Sequence, residues 1–276
     1  MNKVKFRIRN AFLAYKFWAG YEKNRIEYPT ILDFLEKKYG TPALADNFLG
    51  LENWKVTDKS EWGSARPDNL CTYVKDNVKI RQYSGFNSMV ICTTPDESTG
   101  KGWEGESVKK PISSGIVTSK FLVRPGQVVS ATVNTSQSYP GSWFAFWLVK
   151  KNEPGDTRYR EIDIFEKMME RKNQKEYTVT IHGGVQGARE LMNFPYPMFF
   201  VAEEKLTFTC EIYRREVKIY VNGIYMFLAE EPDFDGEYYV MFSDAPKSRN
   251  GKISAEDIIK DLPKTLEIID FRVFNL

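Results

Sequence analysis

The chain is poor in the residues that staple or metallate small folds. Only three cysteines occur in 276 residues, Cys71, Cys92 and Cys210, and so sparse and odd a set excludes a disulfide framework. Free buried thiols are expected, the alternative being Cys71 and Cys92 as neighbours on paired strands. Histidine occurs once, at His182, and there is no CxxC pair, so metal-ligand spacing is missing and no metal site is expected. A large charge of one sign is missing too. The formal net charge of +2 excludes a chain-wide surface for nucleic acid. No apolar run approaches the roughly 18 residues of a membrane span. The apolar stretch from Ala11 breaks at Lys16, too soon for an export signal, and the expectation is a cytoplasmic, lysis-released or virion-associated protein. No internal repeat or low-complexity segment is found.

Residues 1–41 differ from the rest. Their first part is basic, with Lys3, Lys5, Arg7, Arg9, Lys16, Lys23 and Arg25 against the single acid Glu22. Ile31, Leu32, Leu35 and Tyr39 recur at helical spacing, Thr30 and Asp33 resemble a capping box, and Gly40 stands where the helix should end. A helix is therefore predicted over 30–39, and an earlier one over 8–22. This extension is expected to pack on the main domain; the alternative is a segment that docks a partner or an anionic surface.

From residue 42 to 276 the texture is that of strands. Short runs rich in β-branched residues, separated by Gly, Pro and Asp, predict strands at 74–82, 88–94, 115–123, 127–135, 142–149 and 160–166. Others follow at 177–182, 206–213, 216–221, 224–229, 237–242 and 266–274. Asn222-Gly223 suits a two-residue hairpin turn. So many strands with so little helical period predict an all-β sandwich of two antiparallel sheets. Long connections at 95–111, 184–203 and 244–264 are places to look for function.

The informative strand is Glu161-Ile162-Asp163-Ile164-Phe165-Glu166. Alternation puts Glu161 and Asp163 on one face and Ile162 and Ile164 on the other. Strict alternation would send Glu166 away from the other acids. A one-residue bulge near Ile164 or Phe165 returns it and turns Phe165 to the core. Charge protecting an exposed edge strand is the competing explanation, but the apolar opposite face suits a central strand over a core. Three crowded carboxyls repel, and glycoside cleavage uses that repulsion. A retaining glycosidase needs one ionised carboxylate as nucleophile and one protonated carboxyl as acid, about 5–5.5 Å apart. Like charges that close raise one pKa. The expected roles are Glu161 as nucleophile, Glu166 as general acid and then base, and Asp163 as an assistant hydrogen-bonded to the nucleophile.

With these residues the chain resembles glycoside hydrolase family 16, whose laminarinase-, agarase- and carrageenase-like members carry E-x-D-x-x-E in bulged form. The segment 141–148, Gly-Ser-Trp-Phe-Ala-Phe-Trp-Leu, is similar to the family's G-x-W-P-A-F-W-L strand. Residues 114–120 are similar to its S-G-R-I-x-T-K strand, Asp46 to Trp54 to its opening D-x-F…W segment, and 268–274 to its closing strand. The resemblance covers about residues 44–276 and implies a jelly-roll sandwich with a substrate cleft across a concave sheet. It departs at Phe144, where proline is usual, at Ile116 in place of arginine, over 127–135, and at Tyr159, where many members carry tryptophan. The acids are intact; the substrate stays open.

The resemblance implies a substrate or supporting role for His182, and cleft positions for Tyr159 and Trp147. Trp143 and Trp147 share one face of their strand while Phe144, Phe146 and Leu148 share the other, so one set is core and one faces the cleft. Trp103, in a loop rich in Gly and charge, is either a sugar platform or a pin for that loop. Arg158, Arg160, Lys167 and Arg189 surround the acid strand, either as a solvated surface or as readers of a sulfated or uronic-acid polymer. The resemblance also allows a structural calcium near the closing strand, for which Asp270 is a lone carboxylate. The function expected is an endo-acting retaining β-glycanase without a cofactor, or a transglycosylase by the same intermediate. The alternative is a carbohydrate-binding or particle-attachment protein using the same face without turnover.

Overall fold

The alternating apolar parity of the long strands is satisfied by two antiparallel sheets packed face to face. The computed structural model describes residues 12, 15–16, 19–21, 23–169, 176–185, 196–199, 205–230, 234–248 and 253–276. One sheet has eight strands. Seven run in the order Ile224–Glu230, Glu216–Val221, Lys205–Ile212, Gln127–Asn134, Lys264–Asn275, Phe86–Thr93 and Val78–Tyr83, and Leu44–Asp46 adds to Lys264–Asn275. The other has seven, in the order Tyr196–Phe199, Glu176–Val185, Arg158–Met168, Trp143–Lys150, Tyr238–Asp244, Ile116–Ser119 and Trp54–Val56. Arg158–Met168, the acid strand, is thus central in its sheet.

Aromatic rings join the sheets. Phe165 of the acid strand stacks on Phe208 of the opposite sheet with centroids 4.6 Å apart. Trp54 meets Phe271 edge-on at 5.3 Å, and Phe242 at 5.5 Å. Such pairs stabilise by about 0.5–1.5 kcal/mol beyond the apolar area they bury.

The predicted strands are present with ends shifted by a few residues, and Asn222-Gly223 turns with φ of 47° and 79°, as its hairpin requires. Very short strands at Leu44–Asp46, Trp54–Val56, Cys71–Tyr73 and Ile112–Ser114 escape the sequence reading because three residues are too few to show alternation. The connection 95–111 contains a hairpin, Ser98–Lys101 with Ser107–Lys110, and 244–264 contains the helix Ala255–Asp261. Most of 184–203 lies outside the described residues. The cysteines are free, and Cys71 and Cys92 do not pair: Cys71 lies opposite Ile112 and Cys92 opposite Thr265.

The helix Thr30–Tyr39 forms where expected, but without its capping box. Pro29 occupies the cap position and Thr30 is already helical, so its hydroxyl makes no capping bond. Ile31 and Leu35 pack on Val128 and Phe274, on the outer face of the eight-stranded sheet. Lys38 Nζ and Tyr39 OH both bind Glu211 Oε1, at 2.9 and 2.6 Å. Of the earlier helix over 8–22, the described residues are helical; residues 1–11 lie outside the described residues.

Candidate active site

The acid strand carries the predicted bulge. Against Glu176–Val185, Asp163 pairs with Thr180 and Glu166 with Thr178, three steps on one strand against two on the other. Against Trp143–Lys150, Phe165 pairs with Phe146 and Asp163 with Trp147, so Ile164 is the extra residue. Ile162, Ile164 and Phe165 are wholly buried in the core. Glu161, Asp163 and Glu166 face the other way and line one cleft of about 450 Å³.

Each acid is held by named partners. Glu166 accepts the indole N–H of Trp143 on Oε1 and the hydroxyl of Thr180 on Oε2, both at 2.7 Å. Glu161 accepts the phenol of Tyr159 on Oε2. His182 Nε2 lies 3.0 Å from Asp163 Oδ2 and 3.4 Å from Glu161 Oε1. Burial raises the Asp163 carboxyl well above its ordinary range, and the charges of Glu166 and Glu161 add to the effect. The protonated form of Asp163 is thereby favoured, and in that form it donates a hydrogen bond to Glu161. Burial also lifts Glu161, to about 7, against the opposing hydrogen bond from Tyr159. Burial lowers His182 to about 4, with the charge of Arg66 acting in the same direction, so its imidazole is neutral.

The walls are aromatic. Trp143 and Trp147 both line the cleft, while Phe144, Phe146 and Leu148 are wholly buried, which settles which face of that strand is core. Trp147 Nε1 reaches Ser243 Oγ at 3.2 Å. Tyr159 and His182 line the cleft as well. Trp103 does not: it is 67% exposed at the tip of the 98–110 hairpin and is absent from the cleft lining.

Arg158, Arg160 and Lys167, near the acid strand, do not line the cleft either. Arg160 shares parity with Ile162, is buried, and lies beside Phe234 at 5.5 Å. Lys167 follows Glu166 onto the inner face and binds the carbonyl and hydroxyl of Thr135. Arg158 pairs with Asp156 at 3.0 Å, and Arg189 lies outside the described residues. Cleft residues that the sequence reading did not single out, Trp62, Arg66, Asn69 and Tyr73, come from the segment 60–73. The ring of Trp62 lies 5.7 Å from that of Trp147.

Neither a protein-family model nor a curated protein matches the chain. Solved structures do. The endo-β-1,3-glucanase from Pyrococcus furiosus superposes with a TM-score of 0.68 at 21% identity, over 85% of this chain and 94% of that one. A glycoside hydrolase family 16 endo-glucanase from Bacteroides ovatus gives 0.67 at 17% identity, over 84% and 99%. The κ-carrageenase from Pseudoalteromonas carrageenovora gives 0.66 at 13%, over 84% and 92%. The fold is that of the family 16 glycoside hydrolases.

Near the closing strand, Asp270 is the lone carboxylate that a calcium could use. Asp270 does not suit one, because both its oxygens face Arg272 Nε, at 3.1 and 3.4 Å, and a guanidinium opposes a metal ion. Glu161, Asp163 and His182 offer ligand atoms within 4.8 Å of one another, the one such group of three among the described residues. Tyr159 engages Glu161 Oε2, whereas Asp163 Oδ2, 3.0 Å from His182 Nε2, has no hydrogen-bond partner.

Proposed function

We propose that the chain is an endo-acting retaining glycoside hydrolase of family 16 that cleaves β-linked polysaccharide, a β-glucan or a galactan. The observation that carries this reading is the bulge at Ile164, which brings a third carboxyl, Glu166, to the cleft face beside Glu161 and Asp163. The fold shared with glucanases and a carrageenase agrees with it. Glu161 attacks the anomeric carbon while Glu166 gives its proton to the leaving oxygen, forming a glycosyl-enzyme ester. Glu166 then takes a proton from water, which hydrolyses that ester. Asp163 donates to Glu161 when it is ionised and relaxes when its charge is spent in the covalent bond, and neutral His182 keeps that pair in place. Trp62, Trp143 and Trp147 offer the flat apolar surfaces on which the C–H faces of sugars rest. No cofactor takes part. Interception of the ester by a sugar hydroxyl would give transglycosylation through the same residues.

The test is the release of reducing ends from a panel of β-glucans and galactans by wild type and Glu161→Gln. Release by wild type and none by the variant supports the reading. Equal binding of one polymer by both, with no release by either, replaces it with a carbohydrate-binding protein.

A further inference from the structure

One wall of the cleft is built by residues 60–73 and is unusually well braced. Ser60 caps the short helix Glu61–Ser64, and Ser64 Oγ donates to the carbonyl of Lys101 in the 98–110 hairpin. A Cβ on Gly100 would collide with Ser64 Oγ, so only glycine lets hairpin and helix approach so closely. Lys110 Nζ binds the carbonyls of Arg66 and Asn69 at 3.0 and 2.8 Å, and Leu70 N–H binds the carbonyl of Pro246 at 2.8 Å. The nearby acid, Asp68, is taken by Lys247, whose ammonium also sits 4.4 Å from the centre of the Trp143 ring.

Two groups on this wall are left without partners. Arg66 is exposed and lines the cleft, and among the described residues no carboxylate lies within ion-pairing distance of its guanidinium. Asn69 is 2% exposed and lines the same cleft, and its Oδ1 accepts no hydrogen bond. A guanidinium held on a locked backbone, whose charge reaches Glu161 and Asp68 without an ion-pair contact to either, is prepared for an oxyanion, which it binds bidentately and more strongly than a neutral hydroxyl.

Resting on the polysaccharide reading of the cleft, we infer that Arg66 and Asn69 form a specificity site for a sugar bearing an anionic substituent, a sulfate ester or a carboxylate. Arg66 grips the oxyanion, and Asn69 lines the cleft beside it.

Affinity electrophoresis separates the possibilities, with wild type, Arg66→Ala, Arg66→Lys and Lys120→Ala run through gels holding a carrageenan, the same polymer desulfated, or alginate. Lys120→Ala removes one exposed charge outside the cleft. The expected result is wild-type preference for one charged polymer over the desulfated one. Arg66→Ala should cut that preference about ten-fold, Arg66→Lys should cut it less, and Lys120→Ala should leave it intact. Whether the carrageenan or the alginate retards the protein names the anion. Equal losses in Arg66→Ala and Lys120→Ala would mean general charge attraction and overturn the site, as would a wild type with no preference for a charged polymer. Thermal unfolding of Arg66→Ala at the wild-type temperature excludes misfolding as the cause. Reducing-end release is scored separately: selective binding without turnover sinks the hydrolase reading alone, and turnover without charge selectivity sinks the Arg66 site alone.

Discussion

Glu161→Gln should make the protein more stable at pH 8 than the wild type. Glu161 is held at about 7 in the folded protein against an ordinary 4.5. Between those values the folded state binds a proton that the unfolded chain has released, so wild-type stability falls as pH rises from 4.5 to 7. The loss is complete above both values. At about 1.36 kcal/mol per pH unit, the ionised carboxylate costs on the order of 3 kcal/mol of folding free energy at pH 8. The amide introduced by the substitution carries no charge and still accepts the Tyr159 phenol, so the variant avoids that cost. In a chain of this length the gain is worth roughly 5–10 °C in melting temperature. Thermal and urea unfolding of both proteins at half-unit steps from about pH 4 to 8.5 will measure it. The gap should be small at pH 4 and should open progressively through pH 7. A gap that does not change with pH, or a variant less stable than wild type at pH 8, refutes the electrostatic account of the site.

Two further changes probe the same carboxyls. In Tyr159→Phe, Glu161 loses the hydrogen bond that favours its ionised form, so the acidic limb of kcat/KM should move to higher pH by about one unit, and an unmoved limb would show that the phenol is a sugar contact only. In Trp143→Phe, Glu166 keeps Thr180 and loses the indole N–H; kcat should fall about ten-fold or more with the ring's apolar contact with sugar preserved, and a change confined to KM would assign Trp143 to binding alone.

Much of this site is written as parity. Glu161, Asp163, Ile162 and Ile164 sort themselves by alternation, and the bulge follows once Phe165 is required in the core. The same rule places Arg160 with Ile162, on the inner face, and it is there, over Gly183 of the next strand. Reading Arg160 and Lys167 as a solvated surface or as readers of an anionic polymer set charge above parity, and parity prevailed because long stems bury well, with the Lys167 ammonium bound to Thr135. Along Trp143–Lys150 the pattern separates two sets without saying which is core; that depends on Phe146 meeting Phe242 across a strand pairing between residues about a hundred apart. Trp62, Arg66 and Asn69 left no periodic signal at all. They sit in a four-residue helix and a loop, and they join the acids in the cleft lining because Lys110, Pro246 and Lys247 hold that loop in place from distant parts of the chain.

The bulge itself separates a requirement for face from a requirement for position. Deleting Ile164 leaves Glu161, Asp163 and Glu166 alternating regularly on the cleft face, with Glu166 still opposite Thr178, because three steps against two become two against two. Inserting an alanine after Ile164 also lets Glu166 reach the cleft face by plain alternation, but one residue pair farther along, about 7 Å from its place opposite Thr178. If the acid must stand where Trp143 and Thr180 hold it, the deletion retains measurable hydrolysis despite the lost core side chain. The insertion then falls by the roughly 100- to 10,000-fold that a misplaced general acid costs. Circular dichroism and cooperative unfolding qualify each variant as folded before its activity is read. A folded insertion variant with wild-type turnover would show that any cleft-facing carboxyl on this strand suffices, and would remove the structural reason for an extra residue at Ile164.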